Sequence, residues 1–342
     1  MFFRKALLIV FILNLSACDE EKSMHITEGE ISSAYKNISF VCRHESETLP
    51  PISREAEVLY NYGAYLAHSA GPKNYSEIAR YYRLSSEAGN YKASTNLHSL
   101  ISQGLISSQH PEKETIDIVE KMIADGIPGG YYDMAHYLEL GYGVQQDSSR
   151  ANAYFRKSAD MGNPDAQFYV SKLLGSIKGA GGVALEMRKC ALQQGHAEAA
   201  LDYVGYMRAV GDYASALVGF QEGVRFGNAS SASFLRNGFL TSDPSKRLYY
   251  IGQKVDVERS KRYEVINEFL TTYESLGATV LEIDNIVPLP PAKLPDWDGT
   301  FEWKKKRDST LPPEKPSEKI IRALSQEKSL DPQTGLSLQG AQ

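Results

Sequence analysis

A glycine returns at nearly constant spacing through the middle of this 342-residue chain: Gly89, Gly126, Gly162, Gly195 and Gly227, in steps of 37, 36, 33 and 32 residues. Each closes a stretch with amphipathic helical spacing, at 81–88, 118–125, 154–161, 187–194 and 220–226. A glycine there suits the left-handed residue that ends a helix. A small residue a few positions on, as at Ala93, Ala166 and Ala199, opens the next helix. The unit is a helix–turn–helix of about 35 residues, a period that means stacking, because one such unit cannot bury its own apolar face. The expected fold is all-α: a right-handed superhelical solenoid of helix–turn–helix repeats with an extended Pro/Trp-rich C-terminal segment.

The same reading divides the chain. Residues 56–233 carry the repeats and 234–283 form a divergent helical cap. Residues 284–316 hold VPLPPAKLP, WDGTFEW and LPPEKP. So many prolines oppose helix and favour extended polyproline geometry. Both tryptophans, Trp297 and Trp303, fall in this segment. Disorder goes with few aromatics, so the segment is expected to dock on the solenoid. Residues 317–342 read as a short helix capped by Ser317 and a loose tail.

The clearest repeat runs from 132 to 162, YDMAHYLELGYGVQQDSSRANAYFRKSADMG. It resembles the Sel-1-like repeat, a relative of the tetratricopeptide repeat, through Gly141, Gly143, Val144, Asp147, Ala151, Tyr154, Phe155, Lys157, Ala159 and Gly162. Asp147 is placed to cap the second helix. The unit ending at Gly227 has the short turn Gly211-Asp212 and is closer to an ordinary tetratricopeptide repeat.

The N-terminus gives an address. Arg4 and Lys5 precede an apolar run from 6 to 13, too short for a bilayer span of about 20 residues. Leu15-Ser16-Ala17-Cys18 resembles the bacterial lipobox, which implies a signal peptide at 1–17, lipidation of Cys18 and an anchor-plus-linker at 18–55. Two or three acyl chains hold a protein on a bilayer where one does not. The alternative is an ordinary signal peptide with an incidental cysteine. Asp19 resembles the inner-membrane retention signal of enteric lipoproteins, so the expected site is the periplasmic side of the envelope, with the inner membrane favoured over the outer. Removal of Arg4 and Lys5 moves the formal charge from −5 to −7, a poor balance for binding nucleic acid.

Catalytic motifs are scarce. The sequence lacks G-x-S-x-G and H-E-x-x-H, and its seven histidines are scattered. The run from Gly179 to Ala184 has G-x-G-x-x-A spacing but follows a helix rather than a strand, so it reads as a turn. No enzyme activity, cofactor, metal or small-molecule substrate is expected. Cys42 and Cys190 are open to two readings: buried free thiols, or a disulfide pinning the N-terminal segment across the array.

A solenoid without catalytic residues is expected to bind a protein. Tyrosine, histidine and arginine on first helices suit a recognition surface. Tyr131, His136, Tyr137 and Glu139 lie on one such helix, and Tyr203, Tyr206 and Arg208 two repeats on. Trp297 and Trp303 complete the candidate contact residues, against the alternative of an ordinary solvated face. With its anchor, repeats and Trp-bearing C-terminal segment, the chain resembles bacterial envelope lipoproteins that serve as immunity proteins for type VI secretion phospholipase effectors. That resemblance implies a toxic effector as partner and occlusion by the concave face as mechanism. An envelope scaffold or regulator binding a resident membrane or cell-wall complex is the alternative.

Overall fold

The computed structural model describes residues 39–338, which from Phe40 onward form one unit. Among them are fifteen α-helices, two 3-10 turns and one isolated antiparallel bridge, Leu330–Ser337. The first ten helices are α1 (Arg54–His68), α2 (Tyr75–Glu87), α3 (Tyr91–Ser102), α4 (Pro111–Ala124), α5 (Pro128–Leu140), α6 (Ser148–Asp160), α7 (Pro164–Gly175), α8 (Gly181–Gln193), α9 (Ala197–Ala209) and α10 (Tyr213–Arg225). Then come α11 (Ala229–Gly238), α12 (Val257–Thr272), α13 (Ile283–Ile286), α14 (Glu302–Ser309) and α15 (Glu318–Lys328). Each helix from α1 to α12 packs on the next. The chain is an all-α solenoid of six helix pairs, the odd-numbered A helix of each followed by a B helix.

The junction between pairs is one local device used repeatedly. After α6, Gly162 takes φ 108° and the next amide, Asn163 N–H, donates back to Ser158 O at 3.2 Å. Equivalent bonds run from Asn90 to Ser85, Ile127 to Met122, His196 to Ala191 and Asn228 to Gly223. They satisfy carbonyls that a helix end leaves without partners. The residue after the glycine then caps the next helix. Asn90, Asn163 and Asn228 accept from amides of α3, α7 and α11, and His196 Nδ1 accepts from Ala199 N–H. Such a cap is worth about 1 kcal/mol. Ile127 has no capping side chain, but Pro128 follows it at the first helical position, where a missing N–H costs nothing. Within the 132–162 repeat, Asp147 accepts from Arg150 N–H and so caps α6.

Between pairs, small residues let helices close in. Ala135, Ala151, Ala159 and Ala166 are fully buried around Phe155 and Leu138. Ser158 Oγ donates to Pro128 O at 2.7 Å, and Ser85 Oγ makes the same contact with Ala56 O at 2.6 Å one end of the array away. The hydroxyl at that register satisfies a buried carbonyl at a helix start.

The cap boundary expected at 233/234 cuts through α11. That helix pairs with α12 as a sixth unit, and an insertion at 239–256 had broken the period. The expectation that 284–316 contains no helix is also corrected. The prolines fall at 288–295 and 312–316, leaving a stretch that forms α14. Glu302 opens it and Lys306 and Arg307 close it, the arrangement that suits the helix dipole. The extended part is held by α12: Arg259 donates to Pro288 O at 3.2 Å and to Ala292 O, and Arg262 donates to Ile286 O at 2.6 Å. Arginine donors thus satisfy carbonyls that polyproline geometry leaves unpaired.

The C-terminal chain returns from the last pair to the first. Ser317 Oγ accepts from Ile320 N–H and caps α15, which lies on α2. Ile321 and Leu330 join Leu59, Tyr81 and Leu84 in one buried cluster. The tail beyond is tied down rather than loose as far as 338. Asp331 accepts from Gln333 N–H and Thr334 Oγ1, and Arg80 donates to Pro332 O at 2.7 Å.

At the other end of the described chain, residues 42–48 form a strap across the middle repeats. The sulfurs of Cys42 and Cys190 lie at 1.96 Å, a disulfide with Cα atoms 5.6 Å apart. Glu45 N–H donates to Gln194 Oε1 at 2.7 Å, Asn163 Nδ2 to Glu45 Oε1 at 3.0 Å, and Gln167 Nε2 to Arg43 O at 2.9 Å. The strap crosses at Gly162, where a Cβ would stand 2.7 Å from the Glu45 nitrogen. Counted from the repeat glycines, Cys190 corresponds to the exposed Lys157. It is buried because the strap covers it.

Three outcomes follow from this packing. Ile321→Ala should lower stability by about 2–5 kcal/mol in urea unfolding, the range for emptying a buried aliphatic site. Cys42→Ser should cost about 2–5 kcal/mol, since the disulfide closes a loop across a separation of 148 residues. Parent protein in reductant should then melt with the variant. Burial raises the Glu45 carboxyl above its ordinary 4.5, against the Asn163 hydrogen bond. The folded form therefore keeps this proton to higher pH than the unfolded chain. Its contribution to stability is complete below pH 4.5 and is lost as pH rises through the elevated value. Glu45→Gln, which keeps an acceptor for Asn163, should be more stable than the parent at pH 7, with the difference closing towards pH 4.

Candidate partner-binding surface

The A helices α1, α3, α5, α7 and α9 stand side by side, and a groove follows their row. One part, about 350 Å³, lies between Tyr60, Tyr91, Tyr132, Asp133 and Asp165, with Glu45 of the strap at its edge. The other, about 420 Å³, lies between Tyr132, Asp165, Phe168, Tyr169 and His196. Tyr132 and Asp165 line both, so the two parts adjoin along the row.

Its floor is built by the interlocking of neighbouring A helices. His98 on α3 binds Asp133 Oδ2 at 2.9 Å through one ring nitrogen and Tyr137 Oη at 3.0 Å through the other. His136 reaches Glu139 at 3.2 Å, and Tyr169 Oη donates to the other Glu139 oxygen at 2.7 Å. His196 faces Asp165 at 3.3 Å. Burial pushes the Tyr132, Tyr137 and Tyr169 hydroxyls up to about 12. For Tyr132 the Asp165 and Asp133 charges add to that, and for Tyr169 the bond to Glu139 does. These phenols remain protonated donors across the physiological range.

The candidate contact residues have different fates. His136 and Glu139 are half-buried on the A-helix row, the imidazole lying edge-on to Tyr132, Phe155 and Tyr169. Tyr137 turns the other way, to His98 and Tyr142, and Tyr131 packs on Tyr154. Tyr206 is exposed. Tyr203 is buried and cannot meet a partner. It shares the inward stripe of α9 with Ala199, Ala200 and Met207, and Gly219 on α10 makes room for its ring. Arg208 pins the 239–256 insertion, donating to Leu248 O at 2.6 Å and Arg247 O at 2.5 Å.

Trp297 and Trp303 are half-buried supports. Phe301 stacks on Phe269 at 3.9 Å, Trp303 fits against Phe269 and Tyr273, and Trp297 meets Phe301 edge-on. Cys18 lies outside the described residues. The groove residues Tyr132, Asp165 and Tyr169 were missed in the sequence. Tyr132 and Tyr169 stand 37 residues apart, near the repeat period, which is the signal that could have found them.

Among the described residues, Cys42, His44 and Cys190 are the group close enough to share a metal ion. With the two sulfurs bonded to each other, neither offers a thiolate. The G-x-G-x-x-A run leaves α7 and opens α8, a helix-to-helix turn.

Residues 231–338 match the model of DUF6396, a domain of unknown function. That span takes in α11 to α15 and so includes the return to the first repeat. No protein of curated function matches the chain. Three Pseudomonas aeruginosa structures share its fold. Immunity protein PA5088 is 28% identical with TM-score 0.58, covering 74% of this chain and 94% of its own. Immunity protein Pa5087 is 28% identical with TM-score 0.57 and coverages of 74% and 95%. PA5086 is 27% identical with TM-score 0.57 and coverages of 74% and 96%. This helical-repeat chain is therefore similar, over three quarters of its length, to nearly the whole of each of these proteins.

Proposed function

We propose that this protein is a lipid-anchored immunity protein of the bacterial envelope that binds a toxic effector and blocks it by occupancy. The observation that carries the reading is its 28% identity to immunity proteins PA5088 and Pa5087 across nearly their full lengths. The groove on the A-helix row supports it. It is aromatic and polar, open to a protein segment, and backed by side chains already fixed by hydrogen bonds, so little ordering remains to be done on binding. A type VI secretion phospholipase is the toxin class that the chain's resemblance to envelope immunity lipoproteins suggests. Anchoring through Cys18 would put the inhibitor beside the bilayer such an enzyme attacks, on the periplasmic side, with Asp19 favouring the inner membrane over the outer.

The mechanism needs no chemistry on the part of this chain. Inhibition by steric cover requires an interface of ordinary size, about 800 Å² per partner, which several A helices can supply. Deleting the gene should make cells lose to a sister strain with an active secretion system, and wild-type protein should restore survival. Cys18→Ser should restore it poorly, because it leaves the membrane. A deletion strain that survives as well as its parent, with no effector bound to the purified protein, would reject immunity in favour of an envelope scaffold.

A further inference from the structure

The charges along the A-helix groove do not balance. Glu45, Asp133, Asp165 and Glu198 line it, against Lys92 and Lys172. The ion pairs of Asp133 and Asp165 are with His98 and His196, not with lysine or arginine. The Asp165 side chain is 57% exposed. Neighbouring groups register the excess: after burial, the Asp165 and Asp133 charges are what raise the Tyr132 hydroxyl, and they act on Glu45 in the same direction. The aromatic side chains of Tyr60, Tyr91, Tyr132 and Tyr169 line the same space.

A carboxylate beside an aromatic face suits one kind of visitor. A guanidinium binds a carboxylate through two parallel N–H donors while lying flat on a ring, and an ammonium uses the same pair less specifically. An acidic segment would meet an excess of carboxylates over lysines and be turned away.

We propose that the groove recognises a cationic segment of the partner protein, with an arginine or lysine seated between Tyr132 and the carboxylates of Asp133 and Asp165. This rests on reading the A-helix row as the partner-binding face, and it names the chemistry that face selects. The immunity role could fail while the groove still selects cations. The role could also hold with the toxin bound elsewhere.

The test uses the full chain, purified in detergent, and a phage-displayed library of random 12-residue peptides. Enriched peptides should carry arginine or lysine next to apolar residues. Synthesised and measured by fluorescence anisotropy, they should bind Asp133→Asn/Asp165→Asn about tenfold or more weakly. The control pair Asp117→Asn/Glu120→Asn removes the same charge from exposed positions on α4 and should change affinity less than about twofold. Lys172→Glu makes the groove more acidic and should tighten binding. Enrichment of peptides without basic residues, absence of any binder, or equal loss in the two charge-matched pairs would overturn the proposal. So would unchanged affinity in the groove pair at an unchanged melting temperature. The survival assay reads the immunity role separately.

Discussion

The left-handed glycine that ends each of the first five B helices is the element on which the rest depends. An L-residue with a side chain adopts that backbone only under strain, and glycine does so freely. Its turn lets the next amide bond back into the finished helix and delivers a capping residue to the following one. At Gly227 the requirement is doubled, since a Cβ would lie 2.3 Å from Ala278 O. Repeated at 32 to 37 residues, the turn lines up the A helices in one row. The groove exists because of that row.

Two further pieces of chain hold the stack together from outside it. The 42–48 strap is fastened to the fourth pair through the disulfide and the Gln167, Gln194 and Asn163 amides, and to the end of the third through Thr48 Oγ1, which donates to Met161 O at 3.3 Å. The C-terminal chain joins the sixth pair to the first, with the aromatic cluster around Phe269 at one end and the Ile321 cluster at the other. A repeat array is stabilised mainly between nearest neighbours, so ties across several units add cooperativity that stacking alone does not give. They also fix the edge of the groove, because Glu45 belongs to the strap and contributes to the lining.

The groove is organised before any partner is present. The side chains that line it are committed to one another before any partner arrives: His98 to Asp133, Tyr169 to Glu139, His196 to Asp165. A surface ordered in advance loses less entropy on binding. Tyr203 and Arg208 show the other use of the same residue types, one filling the core and one fastening an insertion. Residue type alone cannot separate these roles, because a half-turn of helix decides which way a tyrosine points.

The sequence by itself determined the helical period, the turn glycines, the Asp147 and Ser317 caps and the all-α class. All of these are local: they follow from backbone sterics and from spacing along one helix. It also held the groove in outline, in the near-periodic Tyr132 and Tyr169, without saying that they face a common space. Tertiary structure alone decided the rest. Cys190 sits at a register position that is exposed in the neighbouring repeat, and only the arrival of the strap buries it. Residues 302–309 are free of proline and can form a helix, but where that helix sits is set by Phe301 and Trp303 packing on Phe269 of α12. Contacts between residues 100 or more positions apart leave no periodic trace in a single chain, since their cost and reward are both set by how distant surfaces meet.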